Sequence, residues 1–210
     1  MSCSYSELYV DLAMEMLGDM YDYAVNTLGF SIHDFHELFI NSGIAYQIEI
    51  GNPTYIAGKN GCEVAKIVLE KSGLSINQED IMYVDKSPEY WTGWVLAYYQ
   101  WASGYRFRDI ENFAPIVDTL VLYNTYHEMD ISAYVDLMNK KQREYQEESR
   151  LRRLRAYIGL SQSELAKVAG VPLRQIQLFE QGERDINKTS GNTLCSLARA
   201  LKCDMDDLLQ

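Results

Sequence analysis

The chain has 210 residues, 47% of them apolar, enough to bury a core and consistent with one large or two small domains. Its net charge of −11 argues against nucleic-acid binding by the surface as a whole. No segment reaches the roughly 18 uninterrupted apolar residues of a membrane span, and Glu7, Asp11 and Glu15 interrupt the first apolar run, unlike a signal peptide.

Charge is unevenly distributed. Residues 1–139 hold 20 acidic and 6 basic side chains, whereas residues 140–210 hold 13 basic and 10 acidic ones. A phosphate backbone would be repelled by the first part and could be approached by the second. Cys3, Cys62, Cys195 and Cys203 are scattered without a Cys-x-x-Cys pair, as expected of structural thiols in a reducing cytoplasm.

From Tyr5 to Leu28, apolar residues recur at spacings of three and four (Leu8, Leu12, Met16, Met20, Tyr23), predicting one long amphipathic helix that stops at Gly29. Ser31 and Asp34 predict the start of a second helix, which carries Phe35, Leu38 and Phe39 to Ser42-Gly43. A short helix over Ile44–Ile50 ends at Gly51-Asn52-Pro53, and another carries Val64, Ile67, Val68 and Leu69 to Gly73. His33 and His36 are three apart, a spacing compatible with a metal pair, but no third ligand is evident and both read as surface residues at a helix start.

Ser87-Pro88-Glu89 opens the next helix. Trp91, Trp94, Tyr98, Trp101 and Tyr105 fall on one face of it. Such a stripe is either an aromatic box for a ligand or the core of the N-terminal domain, and burial is the commoner fate of large rings at helical spacing. A further helix covers Asp130 to Glu148, and its polar end defines residues 140–150 as a linker with helical character. No segment reads as a strand. With no glycine-rich phosphate loop or nucleophile elbow, the sequence predicts neither an enzyme nor a cofactor, and no metal site.

Residues 151–210 carry the most specific pattern. Ser161 and Glu164 form a capping box, followed by Leu165, Ala166 and Ala169 as a narrow apolar stripe. Gly170 suits a left-handed turn, Val171 a buried turn position, and Pro172 the start of a second helix, with Ile176 and Phe179 facing inward and Gly182 as its stop.

The order Leu-Ser-Gln-x-Glu-Leu-Ala, Gly-Val, Ile176, Glu180-x-Gly182, then Leu194, Ala198, Leu201 and Leu208-Leu209, resembles the lambda-repressor-like (Cro/cI, XRE-type) helix-turn-helix family. That resemblance implies a five-helix DNA-binding domain over 151–210. With the acidity and helical periodicity of residues 1–139, which read as an acidic helical domain for sensing, dimerisation or interaction, the chain reads as all-α. The resemblance also implies a cytoplasmic repressor that reads double-stranded operator DNA as a homodimer, with residues 172–181 in the major groove. Leu173, Arg174 and Gln177 take base-reading positions, Gln162 reaches phosphate or a base edge, and Gln175 takes a phosphate. Arg184 and Lys188 follow the backbone, and Arg155 and Glu180 form a structural ion pair. Pro172 and Leu173 depart from the family, which often has Ser or Thr and a hydrogen-bonding side chain there.

About residues 20–73 are loosely similar to an uncharacterised bacterial domain found beside ADP-ribosyltransferase-like toxins. The alternative that this similarity implies is an antitoxin: an N-terminal domain that masks a partner enzyme while the helix-turn-helix regulates the operon.

Overall fold

The computed structural model describes residues 4–76, 78–81 and 85–209, without the Glu147 side chain; Cys3 lies outside the described residues. Thirteen α-helices and no strand occur among these residues. They divide into two compact units, Met1–Gln142 and Arg143–Gln210. By these bounds the first unit has 20 acidic and 8 basic residues, and the second 11 basic and 10 acidic.

In the first unit, α1 (Val10–Asp22) follows a 3-10 turn at Glu7–Tyr9 and continues as a π-helical turn over Tyr23–Thr27. The chain then reverses at Gly29, whose φ of 77° is open to a residue without a Cβ. Three short helices follow: α2 (Ile32–Asn41), capped by Ser31, α3 (Ile44–Glu49) and α4 (Pro53–Ile56), capped by Asn52. The Asn60/Glu63 capping box opens α5 (Gly61–Lys71). Then come α6 (Pro88–Ser103), capped by Ser87, α7 (Phe107–Phe113), α8 (Ile116–Tyr126) and α9 (Ile131–Glu147). The polar stretch expected to link the domains is, through residue 147, the end of α9.

The core of this unit is centred on α1 against α6. A Cβ at Gly93 would lie 2.4 Å from the Leu17 carbonyl oxygen, so the two helix backbones can approach only because position 93 has no side chain. Gly93 thus sets its own face of α6 deepest: Leu96 and Ala97, one turn on, and Gln100, two turns on, are fully buried. The aromatic stripe expected to form the core sits instead at its edge. Trp91, Trp94, Tyr98, Trp101 and Tyr105 are half-buried and pack against the core from outside.

His33 and His36 also part company. His33 is exposed, while His36 is buried beside Tyr21 and Glu111. The Tyr21 hydroxyl donates to His36 Nδ1, and His36 Nε2 lies 3.1 Å from Glu111 Oε2, which also accepts the Ile116 N–H at 2.8 Å. Every polar atom of the imidazole therefore has a partner, as a buried ring requires. The surface assignment for His36 failed because both partners are distant in sequence.

In the second unit, α10 (Arg150–Tyr157), α11 (Gln162–Ala169), α12 (Leu173–Glu180) and α13 (Gly191–Leu201) enclose a separate core of Leu151, Leu165, Ile176, Phe179, Leu197 and Leu201. The fifth helix is a single 3-10 turn, Met205–Leu208, that buries Leu208.

Candidate nucleic-acid interface

The local rules that place α11 and α12 are visible atom by atom. Glu164 N–H donates to Ser161 Oγ at 3.2 Å, and the Ser161 N–H donates to Glu164 Oε2 at 2.7 Å, so two free donors at the start of α11 are satisfied reciprocally. These bonds from Ser161 hold the Glu164 carboxyl below its ordinary pKa. Gly170 ends the helix in the left-handed region at φ 64°, Val171 is buried in the turn, and Pro172 precedes α12 with φ −54° and no side-chain cap.

One cluster fixes α12 against the helices before it. Arg155 of α10 donates Nε to Glu180 Oε1 at 2.6 Å and Nη2 to Glu180 Oε2 at 2.9 Å. Its Nη1 donates to the Leu160 carbonyl at 2.7 Å, holding the loop before α11. Gln162 of α11 adds Nε2 to Glu180 Oε2 at 2.7 Å. Three helices thus converge on a carboxylate whose side chain is 2% exposed. The Glu180 hydrogen bonds raise the Arg155 pKa further.

With Ile176 and Phe179 buried, the opposite face of α12 is turned outward. Leu173 and Arg174 are exposed and Gln177 half-buried, at positions one helical turn apart. Arg174 has no ion pair among the described residues. Gln175 is half-buried, with Nε2 at 3.5 Å from Thr189 Oγ1. Past the helix, the Arg184 guanidinium lies 5.7 Å from the Phe179 ring centroid, and Lys188 Nζ lies 3.1 Å from Asp185 Oδ2 in an exposed pair.

The inner face of α12 is thus locked, and its outer face carries Arg and Gln. Residues 151–208 match the family described as helix-turn-helix. This region is therefore a DNA-binding domain of the Cro/cI type, a regulatory rather than a catalytic module. Neither the curated proteins nor the solved structures gave a match to the chain.

Within the helix-turn-helix, the structure brings Leu173, Arg174 and Gln177 onto one face, with Arg184 and Lys188 beyond its C-terminal end. Gln162 also commits one amide donor to Glu180 inside the domain, a contact the sequence did not suggest. Gln181, exposed one turn after Gln177, extends the outer face and went unnoticed, although its i+4 spacing from Gln177 was the available signal. No group of His, Cys, Asp and Glu that could hold a metal occurs among the described residues, and no described helix is long and apolar enough to cross a membrane.

Proposed function

We propose that this protein is a sequence-specific transcriptional repressor that binds an operator as a homodimer, with α12 in the major groove of each half-site. The observation that carries the reading is the two-sidedness of α12: Ile176, Phe179 and Glu180 are buried, while Leu173, Arg174 and Gln177 are presented outward. Arg174 pairs in two-pronged fashion with a guanine, Gln177 with an adenine, and Leu173 touches a thymine methyl. One such helix reads only a few base pairs, so two-fold pairing with half-sites about 34 Å apart completes the site. The acidic first unit stays off the phosphates and supplies the pairing surface or the sensor.

The test is a gel shift with the full chain on the DNA immediately upstream of its own coding sequence. Arg174→Ala should weaken binding by roughly 1–3 kcal/mol and relax specificity at one base pair of each half-site. Unchanged affinity for every sequence would mean that α12 does not read bases.

A second reading is compatible with the first. The excess of 20 acidic over 8 basic residues in Met1–Gln142 suits a surface that masks a cationic partner enzyme, as an antitoxin does. Co-purification with the product of an adjacent gene supports it, and a first unit that captures no such product opposes it.

A further inference from the structure

The half-buried stripe on α6 does not close against its neighbours. Between the first half of α6, the end of α8 and the start of α9 lies a partly open cavity of about 330 Å³. This is the size of a small-molecule site. Tyr90, Trp91, Trp94, Tyr123, Tyr126 and Tyr134 line it. Trp91 stands edge-on to both Tyr123 and Tyr134, with ring centroids 5.8 Å away in each case, so part of the wall is braced by its own rings. Trp94 has no ring or hydrogen-bond partner among the described residues.

The charges around the cavity select among ligands. Lys86 stands at its edge, but Nζ lies 3.0 Å from Asp19 Oδ1 and 4.0 Å from the centre of the Tyr90 ring, so its charge is already compensated. The Ser87 hydroxyl donates to Asp22, and Ser87 Oγ accepts the Tyr90 N–H, which fills the start of α6 with a carboxylate and a cap. Asp19 and Asp22, behind Lys86 and Ser87, put negative charge near the cavity, and no unpaired lysine or arginine lines it among the described residues.

The other polar groups on the wall include the tyrosine hydroxyls and the His127 ring. His127 Nδ1 lies 2.7 Å from the Tyr123 carbonyl, which can only accept, so Nδ1 carries a proton, and Nε2 lies 3.8 Å from the exposed Glu128 carboxylate. The ring itself stacks on Tyr123 at 4.4 Å. Burial and the carboxylates of Asp19, Glu15 and Asp22 push the Tyr90 phenol up to about 12, so it stays neutral.

We propose that this cavity binds a flat, hydrophobic organic cation, a protonated aromatic amine whose ring system lies among the tyrosine and tryptophan rings. The π faces attract the positive charge, and the acidic surface of the unit raises the local concentration of cations. The proposal is independent of which DNA the second unit reads.

The experiment is isothermal titration calorimetry on the full chain at pH 8 with three planar probes: proflavine (cationic), acridine (the same ring, uncharged) and acridine-9-carboxylate (anionic). Proflavine should bind at least tenfold more tightly than acridine, and the carboxylate should not bind. Trp94→Ala should weaken proflavine by tenfold or more, and Trp94→Phe by less, with the helical circular dichroism of each variant checked against the parent chain. Should Trp94→Ala fail to fold, Trp94→Phe and Tyr126→Ala carry the test. Equal affinity for acridine and proflavine overturns the cationic assignment. Proflavine binding that is absent, or unaffected in every folded variant, overturns the site.

Discussion

Arg155 and Glu180 meet in a two-pronged ion pair that joins the first and third helices of the DNA-binding domain, with side chains only 14% and 2% exposed. A pair this buried is costly to break from one side, because the surviving charge loses its compensation. Arg155→Ala should destabilise the domain by about 3 kcal/mol, read as a shift in the chemical unfolding of residues 143–210. Glu180→Gln should do less harm, since an amide keeps one acceptor for Arg155. Equal stability of Arg155→Ala and the parent would show that the pair contributes nothing net.

Gln162 tests the same cluster from α11. Its amide donates one N–H to Glu180 and retains a second N–H and an acceptor oxygen, so it can brace α12 and still touch a phosphate. Gln162→Ala should cost roughly 1 kcal/mol of stability. Gln162→Glu should cost more, because it sets a second carboxylate against Glu180. The comparison is made by thermal unfolding, and a Glu variant as stable as the Ala variant would rule out the contact.

The acid limb of stability follows from the caps. The Glu164 carboxyl is held below its ordinary pKa by its hydrogen bonds with Ser161, and that of Asp185 by the Asn187 N–H and Lys188. Each carboxylate is favoured in the folded state, so its contribution is complete above the unfolded pKa and disappears as pH falls through the lower folded one. The domain should therefore loosen below about pH 4, and the side-chain carboxyl of Glu164 should titrate below a free glutamate by NMR. Glu164→Gln should flatten this limb. A Glu164 midpoint at or above the free value would contradict the capping geometry.

Close approach governs the first unit, and Gly93 is its most constrained position. A methyl group there would stand 2.4 Å from the Leu17 carbonyl oxygen, where helix backbone rather than a movable side chain must yield. Gly93→Ala should destabilise the unit by about 1–3 kcal/mol or more despite its gain in helix propensity. Thermal unfolding decides the sign, and a stabilised variant would show that α1 and α6 are further apart.

What could be read from the sequence was local. Ser31, Ser87 and the Ser161/Glu164 box each announce a helix start within three residues, and the turn from Gly170 to Pro172 is written in residues with restricted or special backbone freedom. What could not be read depended on distant partners. Apolar residues surround much of α6, so periodicity alone could not choose between the Trp91–Trp94 face and the face of Gly93, Leu96 and Gln100; contact at Gly93 with α1 made that choice. His36 looked like a surface residue because Tyr21 and Glu111 lie on other helices. Gln162 was legible as the residue that opens α11, but its hold on Glu180 was visible only once α11 and α12 had packed.

Cys62 offers a probe of the first core. Burial, with Asp80 and Asp19 nearby, pushes its thiol up to about 11, and Sγ lies 3.6 Å from the Ile81 carbonyl. At pH 8 the nucleophilic thiolate is therefore scarce and shielded. Iodoacetamide should modify the half-buried Cys195 and Cys203 first and reach Cys62 only after unfolding, as followed by peptide mass spectrometry. Equal rates at all three would mean that the core around Cys62 opens readily.

The cations of the DNA-binding domain can be separated by salt. Arg184 and Lys188 lie past α12, where the proposed reading has them follow the phosphates, whereas Arg174 stands on the outer face of the helix, among the positions proposed to read bases. Lys188 must leave Asp185 to make its contact, but an exposed pair of this kind holds it by under about 1 kcal/mol. Four phosphate contacts per dimer correspond to a slope of about −4 for log K against log salt. Lys188→Ala should reduce the magnitude of that slope by about 2 and weaken all sequences alike, while Arg174→Ala should leave the slope nearly unchanged and lose discrimination at one base pair in each half-site. Gel shifts at four salt concentrations on the operator and on a scrambled duplex distinguish the two. If Arg174→Ala lowered the slope and Lys188→Ala did not, the two side chains would have exchanged roles, and α12 would lie across the backbone rather than within the groove.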